Sequence, residues 1–186
     1  MIGSLRGEVI EIMNGSVLLE VHGVGYLVRV SVSTLAQLKP GAQVFLYTHD
    51  HVREDVHDLF GFLSMADLAL FEQLLGISGV GPKVAMTILS VGSADTVRRA
   101  IMNGDLATMT SVPGVGKKTA QKIILELKGQ LIEAESVTPG DRDVIEALQS
   151  LGYSAAAARD ALKDISSEIA DTSARVREAL RRLSKS

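Results

Sequence analysis

The amino-acid sequence predicts an α+β protein of several domains, with a five-stranded barrel first, a duplicated helical unit next and a three-helix bundle last. Apolar and polar side chains alternate in residues 1–63. A stretch with a pair of glycines occurs twice in residues 64–129, and apolar residues recur at helical spacing in residues 141–186. Because 46% of the 186 residues are apolar, the chain can form more than one core.

The first segment is predicted to form five short strands, joined by turns and one polar connection. Asn14-Gly15 is a favoured hairpin turn, and residues 39–41, Lys-Pro-Gly, mark another turn. Five strands in a segment of this length favour a closed barrel of the OB-fold type, and a five-stranded open sheet is the alternative. The predicted strands are residues 7–12, 17–21, 26–30, 43–53 and 56–63.

The central segment is organised around the repeat. Residues 79–83, GVGPK, recur as residues 114–118, GVGKK, and an apolar helical run precedes and follows each copy. Ser64 is predicted to cap the first helix of this segment, and the last helix is predicted to end at Gly129. A duplicated helix–glycine turn–helix unit suggests two equivalent contacts with one repetitive ligand, and a nucleic-acid backbone fits that description best.

Each glycine turn has the composition of a phosphate-binding site. One glycine allows the positive φ of a tight turn, and the other lets a phosphate approach the N–H groups at the start of the next helix. Lysines in the first turn of that helix would contact the same phosphate, whatever the bases are. Residues 64–129 also form the only segment with more basic than acidic side chains, seven against five. The residues predicted to bind the backbone are Gly79, Val80, Gly81, Lys83, Gly114, Val115, Gly116, Lys117, Lys118 and Lys122.

The end of the chain is predicted to be a linker followed by a small bundle. Residues 130–140 contain two acidic residues, no aromatic residue and a Pro-Gly pair, a composition typical of a flexible linker. Residues 141–186 are predicted to form three short helices, with a break at Gly152-Tyr153. A bundle of this length lies near the lower size limit for independent folding.

The composition excludes several classes of protein. The net charge of −3 argues against nucleic-acid binding over the whole surface. Without cysteine, the chain has no disulfide and no thiolate metal site, which suggests a reducing, cytoplasmic location. We expect neither a signal peptide nor a membrane span, because no apolar run is long enough.

The segment 49–51, His-Asp-His, is a second candidate site. On a strand its two histidines would share one face, and Asp55, His57 and Asp58 follow closely. A repair nuclease with a His/Asp metal site is therefore the alternative function, while a set of polar residues at the barrel rim is the simpler interpretation. No nucleophile–base pair stands out, and residues 116–118 lack the pattern of an ATP-binding loop. We expect no catalytic site, no metal and no cofactor.

Taken together, these motifs resemble the RuvA family of Holliday-junction-binding proteins. The resemblance extends along the whole chain, and its most specific part is the segment Arg53-Glu54-Asp55 combined with both glycine turns. Lys122 stands where an arginine is more usual in the family, and the predicted linker is short for the family. The stretches that carry the resemblance are residues 1–3, 5–7, 23–26, 52–55, 59–62, 79–83, 113–120, 147–148, 151–153 and 177–180.

The resemblance implies an OB-fold domain, a tandem helix-hairpin-helix domain and a mobile third domain. It also implies a four-fold symmetric homotetramer that holds a four-way DNA junction open, and an octamer when a second tetramer closes over the other face. The third domain would bind RuvB, the hexameric ATPase that drives branch migration in recombination and repair. RuvC, a junction-resolving endonuclease, would share the complex. The residues expected to contact the ATPase are Leu151, Gly152, Tyr153, Val176 and Leu180.

Glu54 and Asp55 match the acidic pin of the family. Considered alone, these two residues would be interpreted as part of a solvated loop. The resemblance implies that four copies of the pin surround the centre of the junction. Their negative charge would repel phosphates there and guide the strands into separate arms.

Overall fold

The structure, a computed structural model, describes residues 1–135, 139–163, 165 and 171–183. The chain forms two compact units, Met1–Gly129 and Gln130–Ser186. The strands are β1 (Ser4–Met13), β2 (Ser16–Val21), β3 (Val24–Arg29), β4 (Gln43–Val52) and β5 (His57–Phe62). The helices are α1 (Val32–Leu35), α2 (Met65–Leu75), α3 (Pro82–Leu89), α4 (Ala94–Met102), α5 (Leu106–Thr110), α6 (Lys117–Glu135), α7 (Pro139–Ser150), α8 (Ala155–Lys163) and α9 (Thr172–Leu183).

The five strands close into a barrel in the order β1-β2-β3-β5-β4, so the predicted barrel is confirmed and the open sheet is wrong. Closure depends on β1, whose first half pairs with β4 and whose second half pairs with β2. Gly7 lies where the two pairings meet, and a Cβ atom there would stand 2.0 Å from the carbonyl oxygen of Glu20. A bulge between Val9 and Glu11 bends the strand further. The side chains of Leu19 and Leu46 fill the interior.

One helix of the barrel domain was not predicted. The connection after β3 contains the short helix α1, where the sequence indicated only a polar connection. Ser31 caps this helix, because its Oγ accepts a hydrogen bond of 3.1 Å from the N–H of Thr34. Four residues are too few to show a helical period, so only the capping serine could have indicated this helix.

Phe71 of α2 joins the barrel to the helices of the first unit. Its ring has no solvent exposure, and its centroid lies 5.2 Å from that of Phe60 and 4.9 Å from that of Phe62, both on β5. Ser64 caps α2 as predicted, with a 3.1 Å hydrogen bond from the N–H of Asp67 to its Oγ. The carboxylate of Asp67 also accepts a 2.9 Å hydrogen bond from the N–H of Ala94, at the start of α4. These contacts place the helical part against β4 and β5.

The prediction that the last helix of the central segment ends at Gly129 was wrong. Helix α6 continues to Glu135, and α7 begins at Pro139, so residues 130–135 and 139–140 of the predicted linker are helical. Residues 136–138 lie outside the described part of the chain. A single glycine inside a helix costs only about 1 kcal/mol relative to alanine, and the good helix formers on both sides offset that cost.

The second unit contains α7, α8 and α9, which form the predicted three-helix bundle. Its core contains the fully buried side chains of Val144, Leu148 and Ala179. Arg175 of α9 forms an ion pair with Asp141 of α7, and both side chains are largely buried. Among the described residues, no helix has the length and apolar character needed to cross a membrane.

Candidate nucleic-acid interface

The two glycine turns have the same backbone geometry. Gly79 has a φ of 92° and Gly114 has a φ of 87°, values that favour glycine. In the first turn the N–H of Val80 donates a 3.0 Å hydrogen bond to the carbonyl oxygen of Ile77. The second turn has the same bond, also 3.0 Å long, from Val115 to Val112. The repeat in the sequence therefore corresponds to a repeat in structure.

The valine between each pair of glycines fixes its turn to the protein. Val80 and Val115 are each only 5% exposed, whereas the glycines on either side of them are exposed. Burial of a valine side chain stabilises such an arrangement by about 1.5–3 kcal/mol. In each turn the valine side chain thus packs into the protein interior, while the backbone of the flanking glycines faces solvent.

The second glycine of each pair begins a helix and leaves the backbone open. Gly81 is the N-cap of α3, and Gly116 directly precedes α6. Within the described chain, no atom lies within 4 Å of the position that a Cβ would take at either glycine. The first N–H groups of a helix have no partner within that helix, so both turns present donors to solvent at the positive end of a helix dipole. A phosphate oxygen fits such a site.

The lysines of the two turns lie on the open side. Lys83, Lys117 and Lys118 lie in the first turns of α3 and α6, and all three side chains are exposed. Lys122 lies one turn further along α6, and its Nζ donates a 3.4 Å hydrogen bond to the carbonyl oxygen of Ser78, next to the first glycine turn. Lys122 therefore links α6, the helix after the second glycine turn, to the first glycine turn, a role that the sequence did not indicate.

The second turn also lies against α3, the helix that follows the first turn. A Cβ at Gly114 would stand 3.6 Å from a methyl group of Val84. Together with the contact of Lys122, this packing brings the two predicted phosphate sites onto one surface. We call that surface the paired-turn surface, formed by residues 79–83 and 114–118.

The acidic residues lie at the tip of the hairpin that joins β4 and β5. The N–H of Arg53 donates a 2.8 Å hydrogen bond to the carbonyl oxygen of Val56, which leaves Glu54 and Asp55 as the two exposed residues at the end of the turn. Within the described chain, neither carboxylate forms a hydrogen bond or an ion pair. We call Glu54 and Asp55 the acidic tip.

An open cleft of about 810 Å3 runs from the hairpin to the first glycine turn. Its lining includes Arg53 and Asp55 of the hairpin turn, and Gly81 and Lys83 of the first glycine turn. Arg29 of β3 also lines the cleft. Arg29 and Arg53 were not among the residues predicted to bind DNA, because no local pattern in the sequence places β3 and the β4–β5 turn beside α3.

The histidines at 49 and 51 do not form a metal site. Their rings lie on one face of β4 with centroids 6.1 Å apart, but the Nδ1 of His49 is 3.1 Å from a carboxylate oxygen of Glu72 on α2. The aspartate between them points to the other face, where its Oδ1 is 2.7 Å from the Nε2 of His57. Among the described residues, no group of three His, Asp or Glu side chains is placed to hold a metal ion. The nuclease alternative therefore has no support in this structure.

The five residues expected to bind the ATPase lie in the second unit and differ in exposure. Leu151 is 58% exposed after the end of α7, and Gly152 has a φ of 93°. Tyr153, Val176 and Leu180 pack against the bundle core and are partly buried. Leu151 is thus the apolar side chain among the five that is most available to a partner.

A closed five-stranded barrel followed by two equivalent glycine turns between helices defines a multidomain helix-hairpin-helix protein. Comparison with protein families agrees along the chain: residues 1–61 match the RuvA N terminal domain, residues 71–128 the SAM-like helix-hairpin-helix tandem, and residues 142–184 the RuvA C-terminal domain. The chain belongs to the RuvA family.

Curated relatives support this assignment over nearly the full length. A protein of Chloroflexus aggregans is 44% identical over 190 residues, which cover 97% of both chains. A protein of Caldanaerobacter subterraneus subsp. tengcongensis is 40% identical over 190 residues, which cover both chains completely. Each relative is named as a Holliday junction branch migration complex subunit RuvA.

Proposed function

We propose that this protein binds four-way (Holliday) DNA junctions and holds them open for branch migration in recombination and repair. The observation that carries the proposal is the pair of glycine turns with matching geometry, both open to solvent and both next to lysines that reach solvent. The names of the relatives agree with this function.

The paired-turn surface would bind DNA through its backbone alone. Each turn offers N–H groups at a helix start, and a lysine adds a positive charge next to the same phosphate. Neither group distinguishes one base from another, so the proposed binding is independent of sequence. Two turns on one surface would hold a duplex arm at two points.

The acidic tip would act at the centre of the junction. Its carboxylates project at the end of a hairpin and have no cationic partner among the described residues, so they would repel phosphates that approach them. In a homotetramer, four tips would meet around one axis and keep the four strands apart. The preference for a junction would then come from the spacing of turns and tips.

The partners form part of the same proposal. The protein would act as a homotetramer, or as an octamer on DNA, and its third domain would bind the RuvB ATPase through the surface around Leu151, Gly152, Tyr153, Val176 and Leu180. RuvC would join the complex as the junction-resolving endonuclease. The protein would have no catalytic site of its own, and RuvB would hydrolyse the ATP. Its place of action would be the cytoplasm, because this role requires access to the chromosome.

Replacement of a turn lysine tests the interaction with phosphate. Lys118→Ala is expected to weaken binding equally for DNA of any sequence, and to lower the slope of log affinity against log salt concentration by about 0.9 if the lysine neutralises one phosphate. Lys39→Ala removes an exposed lysine from a barrel turn and serves as the control. Affinity measured at a series of salt concentrations gives both slopes. An unchanged slope for Lys118→Ala would contradict the proposed interaction with phosphate.

Neutralising the acidic tip tests repulsion. The double variant Glu54→Gln/Asp55→Asn is expected to bind four-way DNA as well as the original protein or more tightly, since it removes charges that repel phosphates. The movement of strands by the complex with RuvB and ATP should change. Glu11→Gln makes the same chemical change at an exposed position of β1 and should alter neither property. A large loss of junction binding in the double variant would show that the tip attracts DNA.

The proposed function and the nuclease alternative give different results in one experiment. A gel-shift assay with a synthetic four-way junction, combined with the solution mass of the complex, should show a stable complex that contains four or eight chains. Addition of magnesium or zinc to the pure protein should leave the junction uncut. Cleavage would support the nuclease, and absence of any DNA complex would overturn both functions.

A further inference from the structure

The hairpin that carries the acidic tip is braced on both of its faces. Strands β4 and β5 are paired up to Val52 and His57, directly before the turn. On the outer face, the Nε of Arg29 forms a 2.9 Å ion pair with Oδ1 of Asp58 and so ties β5 to β3. On the other face, Asp50 of β4 and His57 of β5 form a cross-strand contact.

Asp50 is the more constrained member of this cross-strand contact. Its side chain is only 7% exposed, although it lies close to the turn of the hairpin. Its Oδ1 is 2.7 Å from Nε2 of His57, and its Oδ2 accepts a 3.1 Å hydrogen bond from the N–H of Ile2. The amino group of Met1 lies 3.6 Å from the same Oδ2. One carboxylate thus connects β4, β5 and the segment that precedes β1.

The environment keeps this carboxylate ionised. Burial opposes its charge, but the hydrogen bonds from His57 and from the N–H of Ile2 outweigh burial and hold the pKa of Asp50 below its usual range. Asp50 and Asp58 therefore each have a hydrogen-bonded side-chain partner, His57 and Arg29 respectively, near the turn of the hairpin. The unmatched negative charge of the hairpin is confined to the acidic tip.

We propose that Asp50 and His57 are positioning residues, which hold the acidic tip at the place where it separates DNA strands. The proposal rests on the proposed function, since it assigns these residues a role through Glu54 and Asp55. Only residues 51–53 lie between Asp50 and the tip, and His57 follows Asp55 by two residues. A change in the contact at the base would therefore be transmitted to the tip over about two rungs of the ladder.

The test uses the full chain and a synthetic four-way junction with 2-aminopurine at the crossover, whose fluorescence rises when a base unpairs. Asp50→Ala and His57→Ala should lower the fluorescence gain on binding by roughly two- to fivefold, the range expected for loss of one cross-strand pair. Their affinity for the junction should stay within about twofold of the original, because the paired-turn surface is intact. His57→Gln keeps a hydrogen-bond donor and should restore most of the gain.

Matched controls separate this role from a general effect of mutation. Asp95→Ala removes an exposed aspartate from α4, and His22→Asn removes an exposed imidazole from a turn whose φ of 50° asparagine also adopts. Neither control should change the fluorescence gain. If Asp50→Ala does not fold, His57→Ala carries the test, because the side chain of His57 is 62% exposed and lies outside the barrel core.

A second background shows whether the effect passes through the tip. In the Glu54→Gln/Asp55→Asn protein, Asp50→Ala should cause no further loss of fluorescence gain. An equal loss in both backgrounds, or an unchanged gain for both Asp50→Ala and His57→Ala in the original protein, would overturn the proposed positioning role. If the original protein itself shows no preference for the junction, the proposed function fails instead, so the two failures are distinct.

Discussion

Replacing Gly81 and Gly116 together by alanine should weaken binding to four-way DNA by roughly tenfold for each turn and leave the fold intact. The weakening follows from the loss of hydrogen bonds between backbone N–H groups and a charged phosphate, each of which contributes about 1.5–3 kcal/mol. A Cβ at either glycine would project into the space that the phosphate needs, and the described chain has no atom within 4 Å there.

The fold should tolerate this change because neither glycine depends on a left-handed conformation. Gly81 has a φ of −93° and a ψ of 173°, which any residue adopts, and Gly116 has no positive φ. Alanine is a poorer N-cap than glycine, and this difference costs about 1 kcal/mol of stability for each helix. The circular dichroism spectrum should therefore be retained and the free energy of unfolding should fall by no more than about 2 kcal/mol, while the dissociation constant rises.

Gly129→Ala is the matched control for this variant. It adds the same methyl group at a glycine inside α6 with open space around it, where it should leave DNA binding unchanged and stabilise the helix slightly. If Gly81→Ala/Gly116→Ala bound the junction as tightly as the original protein, close approach of phosphate to the two turns would be excluded.

Phe71→Ala should have the largest effect on stability, a loss of about 3–5 kcal/mol in the free energy of unfolding of the first unit. The ring of Phe71 is fully buried among the rings of Phe60, Phe62 and His49, and its centroid lies 5.3 Å from that of His49. Removing it leaves a cavity where α2 meets the barrel. Urea unfolding followed by circular dichroism measures the loss.

Met65→Ala is the control, because Met65 lies on the same helix and is 56% exposed. Its effect should stay within about 0.5 kcal/mol. The comparison also concerns function, since Phe71 joins the element that carries the acidic tip to the helices that carry the glycine turns. A loss of less than about 1 kcal/mol for Phe71→Ala, well below the usual cost of such a truncation, would show that the barrel and the helices do not depend on this contact.

The sequence predicts those features that repeat at short range. Alternation of side chains indicated the five strands, and the two copies of the glycine pair indicated two equivalent turns, because both signals lie within a few neighbouring residues. The short helix α1 was missed, and the predicted end of α6 at Gly129 was wrong. Helix α1 is too short to show a helical pattern of apolar residues. Helix α6 continues past Gly129 because one glycine inside a helix costs little stability.

Contacts between distant residues could not be predicted in the same way. The hydrogen bond from Lys122 to Ser78 and the ion pair between Arg29 and Asp58 join residues far apart in the sequence. Both depend on how the barrel closes and how α6 packs, which no local pattern encodes. The contact between Asp50 and His57 crosses a hairpin, but its importance depends on the burial of Asp50, which only the structure shows.

The central claim is that two backbone-binding turns and an acidic tip together recognise the shape of a four-way junction. An equilibrium competition between a four-way junction and a linear duplex of the same sequence and length, at physiological salt, tests it most directly. We predict that the original protein binds the junction more tightly and that Gly81→Ala/Gly116→Ala loses affinity for both DNAs. Equal affinity of the original protein for junction and duplex would contradict the claim.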